Sequence, residues 1–360
     1  MNTTLKPGRL FGMGALILAG LACAGRTAET TPPLATDTLP PLEATVTSAP
    51  ADTALPTETA VPASPSATAP PTTTAPPTSA VDIAATLPPV VAAQAGTVAR
   101  DVTYCTSAEG IDLKMDVYFP STLAAPTPAV VFIHGGGWSA GDKRGGAEFF
   151  TRLLDFDYVV ISLNYRLAPA FPYPAQIQDV KCAIRYLRAN AAAYGVDPAR
   201  IGAMGTSAGA HLAAILGVTE AVAEWDTGPY LEQSSKVAAV VDFFGPADLT
   251  QPMPGLTSAI REEVFGATSP SDSVLAEASP VTYITPDDAP FLIIHGSLDD
   301  FVPVSQSEIL LDRLLAAGVP AELVLVENGR HAFHTADYPV QPSREELTLM
   351  IAAFFDQYLK

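Results

Sequence analysis

The 360-residue chain is short of positive charge: 19 Lys and Arg stand against 38 Asp and Glu, a formal net charge of -19. Neutralising phosphates takes clustered cations, so this balance argues against nucleic acid or an anionic lipid surface as partner. Cysteine is scarce too, 3 in all, which is too few for a disulfide framework. With Cys23 removed or lipidated, Cys105 and Cys182 remain. They could pair in an oxidising compartment, but Cys182 falls in an apolar helical stretch, and free thiols packed like small hydrophobes are the favoured expectation. The apolar run from Leu10 to Ala22 is too short for a lasting membrane span.

That run follows Lys6 and Arg9 and precedes small residues, the layout of an export signal over residues 1 to 24. Two processing routes fit. Ala22-Cys23-Ala24 reads as a small-x-small cleavage site, while LAGLAC has the form of a lipobox, apart from Gly20, with Cys23 as the lipidated residue. The expected location is therefore extracellular, or tethered to the outer face of the cell membrane through a lipid anchor. Any membrane contact would be that anchor. Residues 25 to 96 are rich in Thr, Pro and Ala with almost no aromatic side chains and hardly any charge. Such a segment cannot bury enough apolar surface to offset its conformational entropy, and a disordered linker is expected.

From residue 97 to 360 the pattern changes. IDLKMDVYF alternates like a half-exposed strand, whereas AVVFI, YVVISL, RIGAMG, VAAVVDFF, FLIIHG and AELVLVE are short continuous apolar runs. Those suit strands covered on both faces. Helical stretches lie between them: GAEFFTRLLDF, QIQDVKCAIRYLRANAAAYG, SAGAHLAAILGV, QSEILLDRLLAAGV and REELTLMIAAFFDQYL. The alternation predicts one α/β domain, a mostly parallel central sheet with helices on both faces. Ligands in such sheets bind at the carboxyl ends of strands.

One strand, AVVFI, runs into His134 and the glycines 135 to 137. Glycines there let backbone N–H groups approach a ligand without a Cβ in the way. A phosphate loop would need Lys where Asp142 stands, and an acid there repels phosphate. A dinucleotide fingerprint through Gly135, Gly137 and Ala140 is weak and leaves the next motif unexplained. That motif is Gly205-Thr206-Ser207-Ala208-Gly209, G-x-S-x-G between a predicted strand and helix, which raises a serine hydroxyl above the sheet edge.

Serine needs a base, and the base an orienting group. Asp299 ends the strand FLIIHG and His331 follows AELVLVE, both on the rim expected for Ser207. Asp299 is assigned as orienter and His331 as base; Asp300 and His334 are the competing neighbours. His331-x-x-His334 could suggest a metal, but no further ligand cluster is visible. His134 is expected to lock the glycine loop, His211 to pack in the core and His295 to steady the aspartate loop. Attack on an acyl carbon pushes charge onto the carbonyl oxygen. The amides of Gly136, Gly137 and Ala208 are the predicted donors to that oxygen.

Together HGGGWSAGDK, LNYRLAP, GTSAGAHLAA, VVDFFGPADL, FLIIHGSLDDFVP and GRHAF, in this order over residues 98 to 360, resemble the α/β-hydrolase superfamily. The resemblance is closest to its hormone-sensitive-lipase-like and bifunctional feruloyl and acetyl-xylan esterase-like branch. It implies an α/β-hydrolase fold and a serine esterase acting on small-molecule or carbohydrate esters through Ser207, Asp299 and His331, with no cofactor or metal. Thr206 stands where many relatives have Asp or His, and Ala210 replaces a common second glycine. Residues 246 to 290 are expected to form a small cap. A prolyl-oligopeptidase-like serine peptidase is the alternative, since its C-terminal pattern is similar; HGGGW, and a signal and linker in place of a propeller, favour the esterase.

Overall fold

The computed structural model describes residues 92–360 apart from 125, 221, 223, 336 and 337. The expected export signal with Cys23, and the linker up to residue 91, lie outside the described residues. The last residues assigned to the linker join the domain, because the amides of Ala93 and Gly96 donate to Ala193 O and Pro120 O at 2.9 and 2.8 Å. Among the described residues no helix is long and apolar enough to cross a membrane.

Eight strands form one sheet: β1 (Val98–Thr106), β2 (Asp112–Tyr118), β3 (Thr127–Ile133), β4 (Val159–Leu163), β5 (Val196–Thr206), β6 (Val240–Phe243), β7 (Phe291–Gly296) and β8 (Ala321–Val326). Their spatial order is β1-β2-β4-β3-β5-β6-β7-β8. The first two pairings, β1 with β2 and β2 with β4, are antiparallel, and every other pairing is parallel. Helices α1 (Ala147–Phe150), α2 (Ala175–Ala189), α3 (Ala208–Val218), α4 (Ser258–Phe265), α5 (Ser273–Glu277), α6 (Ser305–Ala317) and α7 (Arg344–Leu359) complete the order.

Alternate residues of a strand enter opposite layers. On β3, Ala129, Val131 and Ile133 join the core shared with α2, α3 and α6, while Val130 and Phe132 join the one shared with α1 and α7. Both faces are thus covered, as continuous apolar runs require. α7 lies so close to β5 that a Cβ on Gly202 would sit 2.8 Å from the Phe355 ring. Its start is fixed by Ser343 and Glu346, each satisfying the other's backbone N–H.

Three expectations are corrected. β2, read as half-exposed, is largely buried, because β1, which the sequence reading did not recognise as a strand, pairs outside it. Its Asp116 is buried against Lys143 at 3.2 Å and Arg100 at 3.0 Å. β8, read as doubly covered, is the sheet edge and only Val326 in it is fully buried. Cys105 and Cys182, expected as free thiols, form a disulfide with Cα atoms 6.5 Å apart, inside the range a bridge spans. The physical reason is β1: it carries Cys105 across the buried face of α2, where Cys182 sits.

Candidate active site

Ser207 occupies the turn between β5 and α3 with φ 53° and ψ -120°. A non-glycine residue in that region stores on the order of 1–3 kcal/mol of strain and persists only where its surroundings hold it. Here the Ser207 N–H donates to Phe243 O at 2.9 Å, and the His211 N–H to Ser207 O at 3.0 Å. A Cβ on Gly205 would fall on the Gly209 carbonyl, and one on Gly209 on the carbonyls of Ile133 and His134. Neither position of the motif accepts a side chain.

The residues predicted as orienter and base come from the loops after β7 and β8, at the same rim. His331 Nε2 lies 3.1 Å from Ser207 Oγ, and His331 Nδ1 lies 2.7 Å from Asp299 Oδ2. The Asp299 side chain is fully buried, and its Oδ1 accepts the N–H groups of Phe301 and Val302, each at 2.9 Å. Burial alone would raise this carboxyl. Hydrogen bonds from His295 and His331, the charge of His331 and the Phe301 N–H outweigh it, and Asp299 is held well below the usual carboxylate range.

The competing neighbours are not brought in. Asp300 is exposed and pairs with Arg330 at 2.7 Å. His334 is exposed, and among the described residues no three metal-ligating side chains cluster.

The remaining histidines behave as expected. His134 Nδ1 lies 2.7 Å from Gly135 O, its carbonyl accepts the Tyr165 hydroxyl at 3.0 Å, and its ring stacks on Tyr165. His211 is buried; its Nδ1 accepts the Trp138 indole N–H at 3.2 Å, so its Nε2 donates to Ala278 O at 2.7 Å. Burial pushes this imidazole down to about 4, against a smaller opposing effect of the Ala278 carbonyl. His295 touches Val302 O and Ser307 Oγ at 2.8 and 2.6 Å, and its Nε2 is 3.4 Å from Asp299 Oδ2.

Gly136 and Gly137 have φ of 122° and 56°, values that glycine adopts without strain. Ser139 and Ala140 donate to the Gly136 carbonyl at 3.2 and 3.0 Å, holding the loop. Among the described residues, the N–H groups of Gly136, Gly137 and Ala208 have no backbone acceptor. Gly136 and Gly137 share a cleft of about 510 Å³ with Ser207 and His331, while Ala208 faces a smaller pocket beside it. Thr206, one of the two departures noted in the sequence, also lines the cleft.

Sequence reasoning missed two aromatic walls. Phe244 and Phe301 pack on the His331 ring with centroids 4.8 and 5.1 Å away. Phe244 follows a strand and Phe301 follows an acidic pair, and neither position has a pattern of its own.

A mostly parallel sheet, a strained serine between strand and helix, and an aspartate and histidine from the loops after β7 and β8 define an α/β-hydrolase. The BD-FAE family profile matches residues 115–314, and the chain belongs to that family. It is 34% identical over 201 residues to the probable carboxylic ester hydrolase LipM of Mycobacterium tuberculosis, covering 53% of this chain and 46% of that one. It is 30% identical over 249 residues to the isoprenylcysteine alpha-carbonyl methylesterase ICME of Arabidopsis thaliana, covering 65% and 57%. The chain thus spans about half the length of the curated relatives it matches. Among solved structures, a truncated carbohydrate esterase from gut microbiota is similar at 31% identity and TM-score 0.63, over 74% of this chain and 99% of that one. Butyrate-bound esterase Est2 of Thermogutta terrifontis is similar at 26% and 0.60, over 73% and 94%.

Proposed function

We propose that the protein is a serine carboxylic ester hydrolase acting through an acyl-enzyme on acetyl or feruloyl esters of carbohydrates or similar exposed esters. The observation that carries this reading is the continuous hydrogen-bonded line from Ser207 Oγ through His331 to Asp299. Esterase relatives and a carbohydrate esterase of like structure support it.

In the first half-reaction Ser207 Oγ bonds to the acyl carbon while its proton passes to His331 Nε2. The carbonyl oxygen takes the electron pair and lies against the amides of Gly136, Gly137 and Ala208. Collapse breaks the ester C–O bond, and His331 returns the proton to the leaving alcohol. Water then attacks the acyl-serine, giving its proton to His331, and the acid leaves as Ser207 recovers its hydrogen. Asp299 keeps the proton of neutral His331 on Nδ1, so that Nε2 faces the serine throughout.

The export signal, a lipid anchor or release, and the flexible linker are part of the same proposal. The Cys105–Cys182 bridge supports an oxidising compartment. Side-by-side assay on acetylated xylan, feruloyl sugars, aryl esters and a prolyl peptide tests the activity. Folded protein that cleaves none of the esters, or prefers the peptide, would overturn it. Intact full-length chain in the cytosol would overturn the export reading.

A further inference from the structure

The segment HGGGWSAGDK ends on Lys143, a residue for which the proposed reaction has no use. Asp142 beside it lines the cleft, but Lys143 does not. Its side chain is only 2% exposed and meets Asp101 Oδ1 at 2.8 Å and Asp116 Oδ1 at 3.2 Å. Burying a lysine is costly unless it is paired and its partners are themselves hydrogen-bonded. Both conditions hold: Asp116 Oδ1 also accepts the Asp101 N–H at 2.8 Å, and its Oδ2 accepts Arg100 Nη1 at 3.0 Å.

Two cations and two carboxylates thus balance where β1 pairs with β2. Asp101 stands at φ 55° in the irregular step of β1 between Ala99 and Val102. Irregular steps of this kind re-aim a side chain out of the ladder, and here the carboxylate is brought to Lys143. The backbone of Lys143 is held as well. Its N–H donates to Asn164 Oδ1 at 2.6 Å, and its carbonyl accepts the Ser162 hydroxyl at 2.6 Å.

From Lys143 the constraint runs back to the glycines through bare backbone. A Cβ on Gly141 would sit 2.3 Å from His134 Nδ1 and 2.4 Å from Gly135 O, and one on Gly136 would sit 2.2 Å from Ala140 O. The returning limb of the loop therefore lies directly on the outgoing limb, with no side chain between them to absorb a shift. The tip is fixed separately, since Trp138 O accepts the Ala168 N–H at 3.0 Å and the Trp138 indole donates to His211 at 3.2 Å. Gly136 and Gly137 stand between these two anchors.

We infer that Lys143 is a positioning residue for the carbonyl-oxygen site: held by Asp101, Asp116 and β4, it sets where the Gly136 and Gly137 amides stand. This rests on the esterase reading and deepens it. An apolar residue of like volume would serve stability as well; what the charged anchor adds is a fixed place for the loop. The β1–β2 edge pair is then part of the support of the active site.

The test is kcat and KM of the full chain on p-nitrophenyl acetate, with Ki for a trifluoromethyl ketone, whose adduct with Ser207 carries the same negative oxygen. Lys143→Met keeps the side-chain length and removes the charge, while Asp116 retains Arg100 and the Asp101 amide. Misplacing a group by about 1 Å can cost roughly 10²-fold, so kcat per folded protein should fall about 10- to 100-fold. KM should stay within about threefold, as for an interaction made only in the transition state, and Ki should weaken in step with kcat. Lys143→Arg should recover most of the loss.

Lys181→Met is the control. It removes an equally buried lysine, paired with Asp226 at 3.2 Å and away from the cleft, and should lower the melting temperature with kcat within about twofold. Where Lys143→Met does not fold, Ser162→Ala decides: it removes one hydroxyl from the Lys143 carbonyl and should lower kcat by about threefold or more. Parental kcat in the folded variant that decides, or equal losses in Lys143→Met and Lys181→Met, would overturn the assignment. A parent chain that cleaves no ester would instead sink the esterase reading, and this inference with it.

Discussion

His331 Nδ1 and Asp299 Oδ2 lie 2.7 Å apart across 32 residues of chain. The contact fixes which ring nitrogen carries the proton. Asp299→Asn keeps the shape but permits the wrong tautomer, and kcat should fall by about 10⁴. Asp300→Asn, altering an exposed partner of Arg330, should leave kcat within about twofold, in keeping with the small worth of surface ion pairs. Steady-state kinetics on an aryl acetate separates the two; equal losses would reassign the orienter.

Ser207→Ala removes the proposed nucleophile without removing a packing contact of any size. Turnover should drop by at least about 10³, while the melting temperature stays within a few degrees. His331→Ala should match that loss and His334→Ala should not. Substantial residual turnover in Ser207→Ala, with no burst of bound acyl group in the parent, would exclude an acyl-serine route.

The Cys105–Cys182 bridge closes a loop with a sequence separation of 77. Chain-entropy arguments put its contribution at about 4 kcal/mol. Reduction, or the double change Cys105→Ser with Cys182→Ser, should lower the denaturant midpoint accordingly while leaving the proposed esterase turnover of the folded protein nearly unchanged, since neither cysteine lines the cleft. An unchanged midpoint after reduction would show the thiols unpaired in solution.

Two buried groups give opposed pH dependence. His211 sits at about 4 instead of 6.5 because burial disfavours its charge. Between pH 6.5 and 4 the unfolded chain therefore takes up a proton the folded chain refuses, and stability falls as pH falls. Asp242, buried on β6, is raised from 3.8 to about 6, chiefly by burial, which the Gly245 N–H and His295 only partly offset. Between pH 3.8 and 6 the folded chain keeps a proton the unfolded chain has released, so stability falls as pH rises.

Each shift is worth on the order of 3 kcal/mol, and the two nearly cancel between pH 4 and 6. Asp242→Asn retains an acceptor for the Gly245 N–H, bonded at 2.8 Å, and replaces an oxygen without a hydrogen-bond partner among the described residues. Its urea midpoint should exceed the parent's at pH 7 and converge with it near pH 4. A difference independent of pH would show that Asp242 does not titrate in this range.

The chemistry-bearing residues were legible because each stands where backbone geometry leaves few choices. Gly205 and Gly209 are demanded by carbonyls that a Cβ would strike, and a serine between them can only belong to a sharp turn. Asp299 and His331 follow apolar runs that had to be strands, so their rim was known in advance. β1 escaped notice because VARDVTYCT interleaves charge with apolar residues and has no period of its own as an edge strand. The cysteine pairing escaped with it.

Local sequence by itself determined the strand-and-helix alternation, the sharp serine turn and the short set of candidate side chains at the sheet rim, since these depend on short-range sterics and periodicity. Tertiary structure alone decided that Asp299 and not Asp300 meets the imidazole, and that Cys105 reaches Cys182. Those outcomes are contacts between distant segments, and their distances arise only when both faces of the sheet are packed.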